Sequence, residues 1–534
     1  MTPLTRRQLF TATAGVFGMA TLAACARTTA SGEPTPTGGL ISPTSDAVRA
    51  AEAARRRAGQ QTVTATLNPR PVTLDLGGPT VSTWAYGDTA PGPLLRAKAG
   101  DLLKVTVEND IPMETSIHWH GVALRNDMDG VPGLTQKPIP AAGTFTYEFT
   151  APDPGTYFYH PHDIQLDRGL YGVLVVDDPH EPGRYDHEWV LVLDDWTDGA
   201  GRTPDQILAG LTAATSSGSG SGTPGATSGS GDSMPGMDHG SMPGMTHGSM
   251  SGGDSMPGMD MGSMGEGAQS PILGGAGDVV YPYYVANGRI PDAAQVFTAK
   301  PKQKVRIRIV NAGSDTAFRV ALTGHKLTVT HTDGYPVVPT TTDALIVAMG
   351  ERYDVEVTLA DGLFPLVALA EGKEGEALAL IRTGAGASPK LPFRPEELDR
   401  SVLVGSALKA AEAARLTKKA PDRTHVLNLG GTMSPYRWTI NGKSYPDTTP
   451  LVVRQGERVR LRLVNDTMMF HPMHVHGHTF GLIDNGARKD TVIVKPMQTL
   501  DVDFDATNPG QWMAHCHNIY HAERGMIVPL SYRN

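Results

Sequence analysis

Near its C-terminus the chain reads HCHNIYHAERGM, from His515 to Met526. Cys516 stands between two histidines, and because residues i and i+2 of a β-strand point to the same face, His515 and His517 can lie side by side. One cysteine, two histidines and a weakly bound methionine form the ligand set of blue copper sites, which transfer electrons. This stretch can supply the cysteine, His521 as one of the two histidines, and Met526 as the methionine.

Histidine pairs with the same spacing occur three more times. They are His118-Trp119-His120, His160-Pro161-His162 and His474-Val475-His476, the last preceded by His471. Four such pairs can surround a compact metal cluster if the segments that carry them pack together, and His471 can complete the blue copper set. Zinc fits less well, because its closed tetrahedral sites usually contain paired cysteines, and we expect the two cysteines here, Cys25 and Cys516, to stay apart.

An internal repeat underlies this pattern. Three segments end a predicted strand in asparagine, at Asn109, Asn311 and Asn465. Six positions after each asparagine the three copies have Thr115, Ala317 and His471. Nine positions after it they have His118, Val320 and His474. Eleven positions after it they have His120, Leu322 and His476. A second register begins five residues beyond Gly155, Gly362 and Gly510 and reads His160-Pro161-His162, Val367-Ala368-Leu369 and His515-Cys516-His517. The sequence therefore predicts three copies of the same fold, with metal-binding residue types in the first and third copies.

Short runs of alternating apolar residues recur from Thr62 onwards, bounded by Gly, Pro, Asn and Asp. Residues 102–107, 144–149 and 189–193 are examples. Strands of this length at regular turn spacing are typical of β-sandwiches or barrels. The sequence therefore predicts an all-β protein.

Residues 216–267 interrupt the β pattern with a Gly/Ser-rich stretch that has no hydrophobic period. Its methionines are Met234, Met237, Met242, Met245, Met250, Met256, Met259, Met261 and Met264. Thioether sulfur selects Cu(I), so one interpretation is a loop that captures or delivers copper. A flexible low-complexity linker is the other interpretation. We favour the copper loop.

The N-terminus has the features of an export address. TRRQLF, beginning at Thr5, is a twin-arginine pattern, and the apolar stretch that follows, 16–24, is too short to span a membrane as a permanent helix. The stretch ends in LAAC, which resembles a bacterial lipobox. This predicts export by the twin-arginine route and a lipid anchor on Cys25, on the outer face of the cytoplasmic membrane. An ordinary signal peptide with a chance cysteine is the alternative.

The four clusters match the four motifs of the multicopper oxidases, and the chain resembles this family from about Thr62 to its end. The motifs are His-x-His-Gly, His-x-His, His-Pro-x-His-x-His-Gly and His-Cys-His-x3-His-x4-Met. With its lipobox and twin-arginine signal, the chain looks most like lipid-anchored actinobacterial members that act in copper resistance. The resemblance implies three cupredoxin-like Greek-key β-sandwich domains, with copper in the third and between the first and third.

We predict the following order along the chain. It is a signal at 1–25, a tether at 26–61 with a short helix from Ser45 to Arg57, a first domain at 62–185, a second at 186–395 with the Met-rich loop 216–267, a linker at 396–423 and a third domain at 424–534.

The resemblance also implies four coppers per chain: one type 1, one type 2 and a type 3 pair. By motif, type 1 copper is bound by His471, Cys516, His521 and axial Met526, type 2 by His118 and His474, and the type 3 pair by His120, His160, His162, His476, His515 and His517. Electrons from the substrate are expected to enter at type 1 copper and to pass from Cys516 to its two neighbours in the chain.

Proton delivery requires an acid near the cluster. Asp129, in Met128-Asp129-Gly130, matches an acid that the family places there, and we assign it a proton-relay role. Some bacterial members carry glutamate immediately before the final histidine ligand, where this chain has Tyr520, so the motif identifies no second relay acid.

The function implied is oxidation of Cu(I), with Fe(II) as a second metal donor, coupled to reduction of dioxygen to water in copper detoxification. A laccase that oxidises phenols is the alternative enzyme, and a copper-buffering protein without significant turnover is the alternative from another class. Copper nitrite reductases lack the His-Cys-His link and are not favoured. The net charge of −9 argues against a nucleic-acid partner. We expect a monomer, and no motif locates acidic residues that would bind Fe(II).

Overall fold

A computed structural model describes residues 39–181, 183–213, 269–483 and 486–534. Within these residues the chain forms three cupredoxin-like β-sandwiches, one after another, so the all-β prediction is confirmed. No helix in the described part of the chain is long and apolar enough to cross a membrane. The predicted signal, Cys25 and the Met-rich loop lie outside the described residues and stay predictions.

The first sandwich is built from nine strands. They are β1 (Thr62–Leu67), β2 (Pro69–Asp75), β3 (Thr80–Tyr86), β4 (Leu95–Lys98), β5 (Leu102–Glu108), β6 (His118–His120), β7 (Thr144–Thr150), β8 (Gly155–His160) and β9 (Gly172–Asp177). One sheet has the order β1-β5-β7, the opposite sheet has the order β4-β9-β8-β6, and β2 and β3 form a ribbon. Alternate residues of β5, namely Leu103, Val105 and Val107, are buried, as the period of two predicts.

The second sandwich repeats this plan with twelve strands. They are β10 (His187–Trp196), β11 (Tyr283–Ala286), β12 (Gln295–Thr298), β13 (Lys304–Asn311), β14 (Phe318–Leu322), β15 (Leu327–Thr332), β16 (Tyr335–Thr342), β17 (Ala344–Val347), β18 (Arg352–Thr358), β19 (Leu363–Ala370), β20 (Glu376–Arg382) and β21 (Val402–Leu403). Its sheets have the orders β11-β10-β13-β18-β15-β16 and β12-β20-β19-β14-β17-β21. The last strand comes from the range predicted as a linker, where it pairs with β17.

The third sandwich has eleven strands. They are β22 (Arg423–Met433), β23 (Tyr436–Ile440), β24 (Leu451–Val453), β25 (Arg458–Asn465), β26 (His471–Val475), β27 (Phe480–Leu482), β28 (Arg488–Lys489), β29 (Thr491–Val494), β30 (Thr499–Asp505), β31 (Gln511–Cys516) and β32 (Ile527–Tyr532). Its sheets have the orders β23-β22-β25-β30-β27-β28 and β24-β32-β31-β26-β29. Each sandwich has the same parallel pair in one of its sheets: β1 with β5 in the first, β10 with β13 in the second, and β22 with β25 in the third.

The three asparagines that defined the sequence repeat make the same bonds in each sandwich. The side-chain amides of Asn109, Asn311 and Asn465 all donate to backbone carbonyls of the following loops, at 2.7 to 3.1 Å. Each Oδ1 also accepts from the backbone N–H two residues further on. A buried amide with these bonds holds the loop that leads into the strand of the His-x-His position, which explains why the asparagine marks the register.

The described residues also form six short 3-10 helices and three short α-helices: α1 (Asp46–Arg55), α2 (Pro204–Ala213) and α3 (Ile519–Glu523). The predicted helix within the tether is α1, and Ser45 caps it by accepting from the N–H of Val48. Residues 39–57 are not a free tether, however, because Val48 is buried and the buried Glu52 carboxylate accepts from Thr150 of β7.

Candidate metal centre

Two pairs of adjacent strands carry the histidines. In the first sandwich β6 runs antiparallel to β8 and places His118 opposite His160. In the third sandwich β26 runs antiparallel to β31 and places His474 opposite His515. The rings of His118 and His474 lie 5.7 Å apart between centroids, so the two strand pairs meet at the boundary between these sandwiches.

Eight imidazoles come together at this boundary, and we call them the histidine cluster. They are His118, His120, His160, His162, His474, His476, His515 and His517. The Nε2 atom of His476 lies 3.0 Å from Nε2 of His515 and 3.2 Å from Nε2 of His162. All eight rings except the half-buried His162 are buried. The structure therefore brings together every residue predicted to bind type 2 or type 3 copper, while their division among individual coppers stays a prediction.

In six of the eight rings, all except His162 and His517, the protein holds one nitrogen and leaves the other for the cluster. Four rings donate from Nδ1 to a backbone carbonyl at 2.8 to 3.0 Å: His118 to Asp129, His160 to Pro161, His474 to Asp490 and His515 to Cys516. Among the described residues, Nε2 of His118, His160 and His474 is buried without a hydrogen-bond partner. Unpaired buried nitrogens of this kind are costly, and a fixed second nitrogen is the usual support of a metal-binding imidazole.

Burial also keeps several of these imidazoles in the form that binds metals. It lowers the pKa of His120, His160 and His517 well below the ordinary value, and the neighbouring rings lower it further. The pKa of His515 falls to about 3 for the same main reason. Neutral imidazole is the ligand form, so these four rings need no deprotonation before they bind a cation near neutral pH.

Asp129 lies under two rings of the cluster. Its Oδ2 is 2.8 Å from Nδ1 of His476, and its Oδ1 is 3.3 Å from Nδ1 of His118. The carboxylate is fully buried, so these contacts orient the two rings with Nε2 towards the cluster. The predicted proton-relay role of Asp129 is a further step that stays a prediction.

A second buried triangle of ligand atoms lies in the third sandwich. The Sγ atom of Cys516 is 3.6 Å from Nδ1 of His471 and 3.6 Å from Nδ1 of His521, and these two nitrogens are 3.1 Å apart. The opposite nitrogens are held by Thr467, whose Oγ1 lies 2.9 Å from Nε2 of His471, and by Asp278 at His521. Met526 is fully buried, and its backbone bonds both Cys516 and His521, but its sulfur ligation stays a prediction.

The residues present fit copper. One sulfur with two imidazole nitrogens in a triangle is the blue copper arrangement, and a nearby set of imidazoles alone also suits copper. Burial raises the pKa of the Cys516 thiol, so the thiolate needs a bound cation beside it. The two sites are also covalently adjacent, because Cys516 of the triangle is bonded to His515 and His517 of the cluster.

Asp278 was not found from the sequence, although it covers the outer edge of His521. Its Oδ2 accepts from Nε2 of His521 at 2.9 Å and from the Tyr436 hydroxyl at 2.6 Å. The Trp438 ring lies against His521, at 3.9 Å between ring centroids. The backbone N–H of Asp278 is anchored by the Asp315 carboxylate. The only signal in the sequence is that Asp278 follows shortly after the Met-rich segment.

An acid also lies next to Tyr520, where the sequence motif offered none. The Tyr520 hydroxyl donates to Asp167, and the Tyr281 hydroxyl donates to the same oxygen at 3.4 Å. Burial, followed by the nearby Asp195, raises the pKa of Asp167 well above its ordinary range. Sequence reasoning could not find this acid, because Asp167 comes from the first sandwich and Tyr520 from the third.

Comparison with known proteins agrees with the copper chemistry that the two sites indicate. Sequence profiles described as multicopper oxidase match residues 70–181, 187–386 and 418–534. Multicopper oxidase MmcO of Mycobacterium tuberculosis is 50% identical, with 97% of this chain and 95% of that protein covered. A copper resistance protein A homolog of Pseudomonas syringae pv. tomato is 28% identical, with 82% of this chain and 87% of that protein covered.

Solved structures show the same fold. The crystal structure of Fet3p, described as a multicopper oxidase that functions in iron import, matches with a TM-score of 0.70. The match covers 88% of this chain and 90% of that chain at 20% sequence identity. At this identity the likeness concerns the fold alone.

Proposed function

The chain belongs to the multicopper oxidase family, and we propose that it oxidises Cu(I) at the Cys516 triangle and reduces dioxygen to water at the histidine cluster, as part of copper detoxification. Fe(II) is the second metal donor that we propose. The relative named for copper resistance supports this role. We further propose export by the twin-arginine route and a lipid anchor on Cys25, on the basis of the N-terminal sequence.

We assign the ligands as the motifs imply, with four coppers per chain. His471, Cys516, His521 and Met526 would hold type 1 copper, and the eight imidazoles of the histidine cluster would hold the other three. When bound, copper supplies the one-electron steps and the reduction of dioxygen. The chain itself contributes the direct bonds from Cys516 to two cluster histidines, buried neutral imidazoles, and the Asp129 carboxylate that orients two of them.

Asp278, Tyr436 and Trp438 cover the outer edge of His521, and this is the observation that favours a metal ion as the electron donor. The Asp278 side chain is 1% exposed and occupies the outer nitrogen of His521, while Tyr436 and Trp438 are equally well buried around it. A bulky phenol cannot contact this ring edge without displacing Asp278. A small cation needs only to approach the cover, and a carboxylate attracts it.

We expect Asp278→Asn to raise the KM for Cu(I) about tenfold, equivalent to ~1.4 kcal/mol, because the variant keeps the shape of the side chain and loses its charge. The KM for a neutral phenol should change little. Steady-state dioxygen uptake with each donor measures both values. Asp447→Asn is the matched control, since Asp447 is an exposed acid of the same sandwich. Equal shifts for the two donors would show that Asp278 does not select the cation.

Deletion of residues 233–264 tests the Met-rich segment. We expect the KM for Cu(I) to rise severalfold and the rate with phenols to stay the same, because the thioethers would raise the local Cu(I) concentration. Deletion of residues 216–232 shortens the same segment without removing a methionine and is the matched control. If both deletions leave Cu(I) oxidation unchanged, or if phenols are the better donors, the segment is a linker and laccase describes the enzyme better.

A further inference from the structure

Five charged side chains are buried together where the second and third sandwiches meet. They are Asp333, Glu351 and Arg352 of the second sandwich and Lys489 and Asp490 of the third, each at most 1% exposed. Burial of so many charges is costly unless each is paired and placed accurately. The group also adjoins the histidine cluster, which suggests a role beyond holding the two sandwiches together.

The guanidinium group of Arg352 forms a bidentate pair with the Asp490 carboxylate. Nη1 donates to Oδ1 and Nη2 donates to Oδ2, each at 2.6 Å. The arginine is itself fixed from the other side, because Nε donates to the carbonyl of Thr156 at 3.0 Å and Nη1 to that of Gly350 at 3.1 Å. A two-point contact with an anchored guanidinium leaves the carboxylate one orientation.

Asp490 passes this orientation to two cluster rings. Its Oδ1 lies 3.2 Å from Nε2 of His120, and its backbone carbonyl accepts from Nδ1 of His474 at 3.0 Å. Thr491 Oγ1 lies 3.1 Å from each of the same two nitrogens. The rings of His120 and His474 stack at 3.8 Å with an angle of 15° between their planes. These contacts leave Nδ1 of His120 free to face the cluster, whereas in His474 the free nitrogen is Nε2.

Two glycines allow this close approach. A Cβ atom on Gly121 would lie 2.4 Å from Nη2 of Arg352 and 2.5 Å from Asp490. A Cβ atom on Gly350 would lie 2.9 Å from the rings of both His120 and His517. The backbone and the arginine of the second sandwich are therefore in direct contact with the cluster and its support.

We propose that Arg352 is a positioning residue for the metal centre, acting through Asp490 on His120 and His474. The second sandwich carries none of the predicted ligands, yet it supplies the group that aligns one ligand from each of the other two. This assigns the middle copy of the repeat a function in the site. The proposal depends on metal binding by the histidines and not on the identity of the electron donor.

The test compares Arg352→Lys, Asp490→Asn and the double variant with the intact full-length chain. Lysine keeps the charge and loses the two-point contact, while asparagine keeps the shape and loses the charge. We expect each single variant to lower the copper affinity of the apo protein about tenfold or more, the usual effect of removing a support of a ligating histidine. We also expect an altered EPR signal of the cluster copper and an unchanged visible absorption of the Cys516 site.

Arg306→Lys is the matched control, because Arg306 forms a similarly buried pair with Asp354 in the same sandwich, with side chains 4% and 2% exposed. It should lower the unfolding midpoint without changing the copper isotherm. The double variant should lose no more affinity than Asp490→Asn alone, since both changes act on one pathway. Additive losses, or an Arg352→Lys variant that resembles Arg306→Lys with normal copper affinity and EPR signal, would overturn the proposal. Copper affinity is measured without an electron donor. If the protein does not oxidise Cu(I), the copper isotherms of these variants are therefore unaffected, and only the rates of dioxygen uptake change.

Discussion

We expect Cys516→Ser to lower dioxygen consumption by about a thousandfold or more, equivalent to ~4 kcal/mol in the barrier. The sulfur of Cys516 is the one soft ligand in the triangle with His471 and His521, and a serine hydroxyl does not replace a thiolate at copper. The site is completely buried, so water cannot easily take the place of the missing ligand.

Oxygen uptake with Cu(I), visible absorption and copper content measure this effect. The absorption of the Cys516 site should vanish while the histidine cluster retains its copper, because its imidazoles are unchanged. Cys25→Ser is the matched control, since it makes the same substitution at the other cysteine of the chain. The purified Cys25→Ser protein should keep its specific activity. More than a tenth of the activity in Cys516→Ser would contradict the proposed entry of electrons through this residue.

We expect Lys489→Met to destabilise the apo protein by ~3–5 kcal/mol. The ammonium group lies 3.0 Å from Asp333 and 3.2 Å from Glu351, and it donates to Thr332 at 2.6 Å, with no exposure to solvent. Methionine fills a similar volume but leaves Glu351 buried without a cation and leaves Asp333 only Arg352, at 3.6 Å. The loss should be large because solvent cannot screen the remaining charges.

Denaturant unfolding of the apo protein, followed by tryptophan fluorescence, measures this loss. Arg462→Met is the matched control, because Arg462 pairs with Asp501 on the surface of the same sandwich and is 47% exposed. An exposed pair of this kind contributes at most ~1 kcal/mol. Similar losses for Lys489→Met and Arg462→Met would show that the buried group is not tightly coupled.

The sequence predicted the elements whose geometry is local. A His-x-His pair on a strand places both rings on one face, whatever the strand packs against, so the four pairs could be predicted to form one cluster. The repeat could be recognised for a similar reason, because Asn109, Asn311 and Asn465 each donate hydrogen bonds to backbone carbonyls of their own sandwich. The all-β fold and the family followed from these patterns, and both are confirmed.

The supports of the site depend on contacts between sandwiches. Arg352 and Asp490 belong to different copies of the repeat, as do Asp167 and Tyr520, and Asp278 reaches His521 from the segment that follows the Met-rich stretch. No spacing along the chain relates such partners, because the packing of whole sheets brings them together.

The amino-acid sequence by itself therefore determined which residues we predict to bind copper, because ligand type and strand period are properties of short segments. Only the tertiary structure decided which carboxylates and which arginine hold those ligands in place, because buried charges find their partners across the boundaries at which the three sandwiches pack.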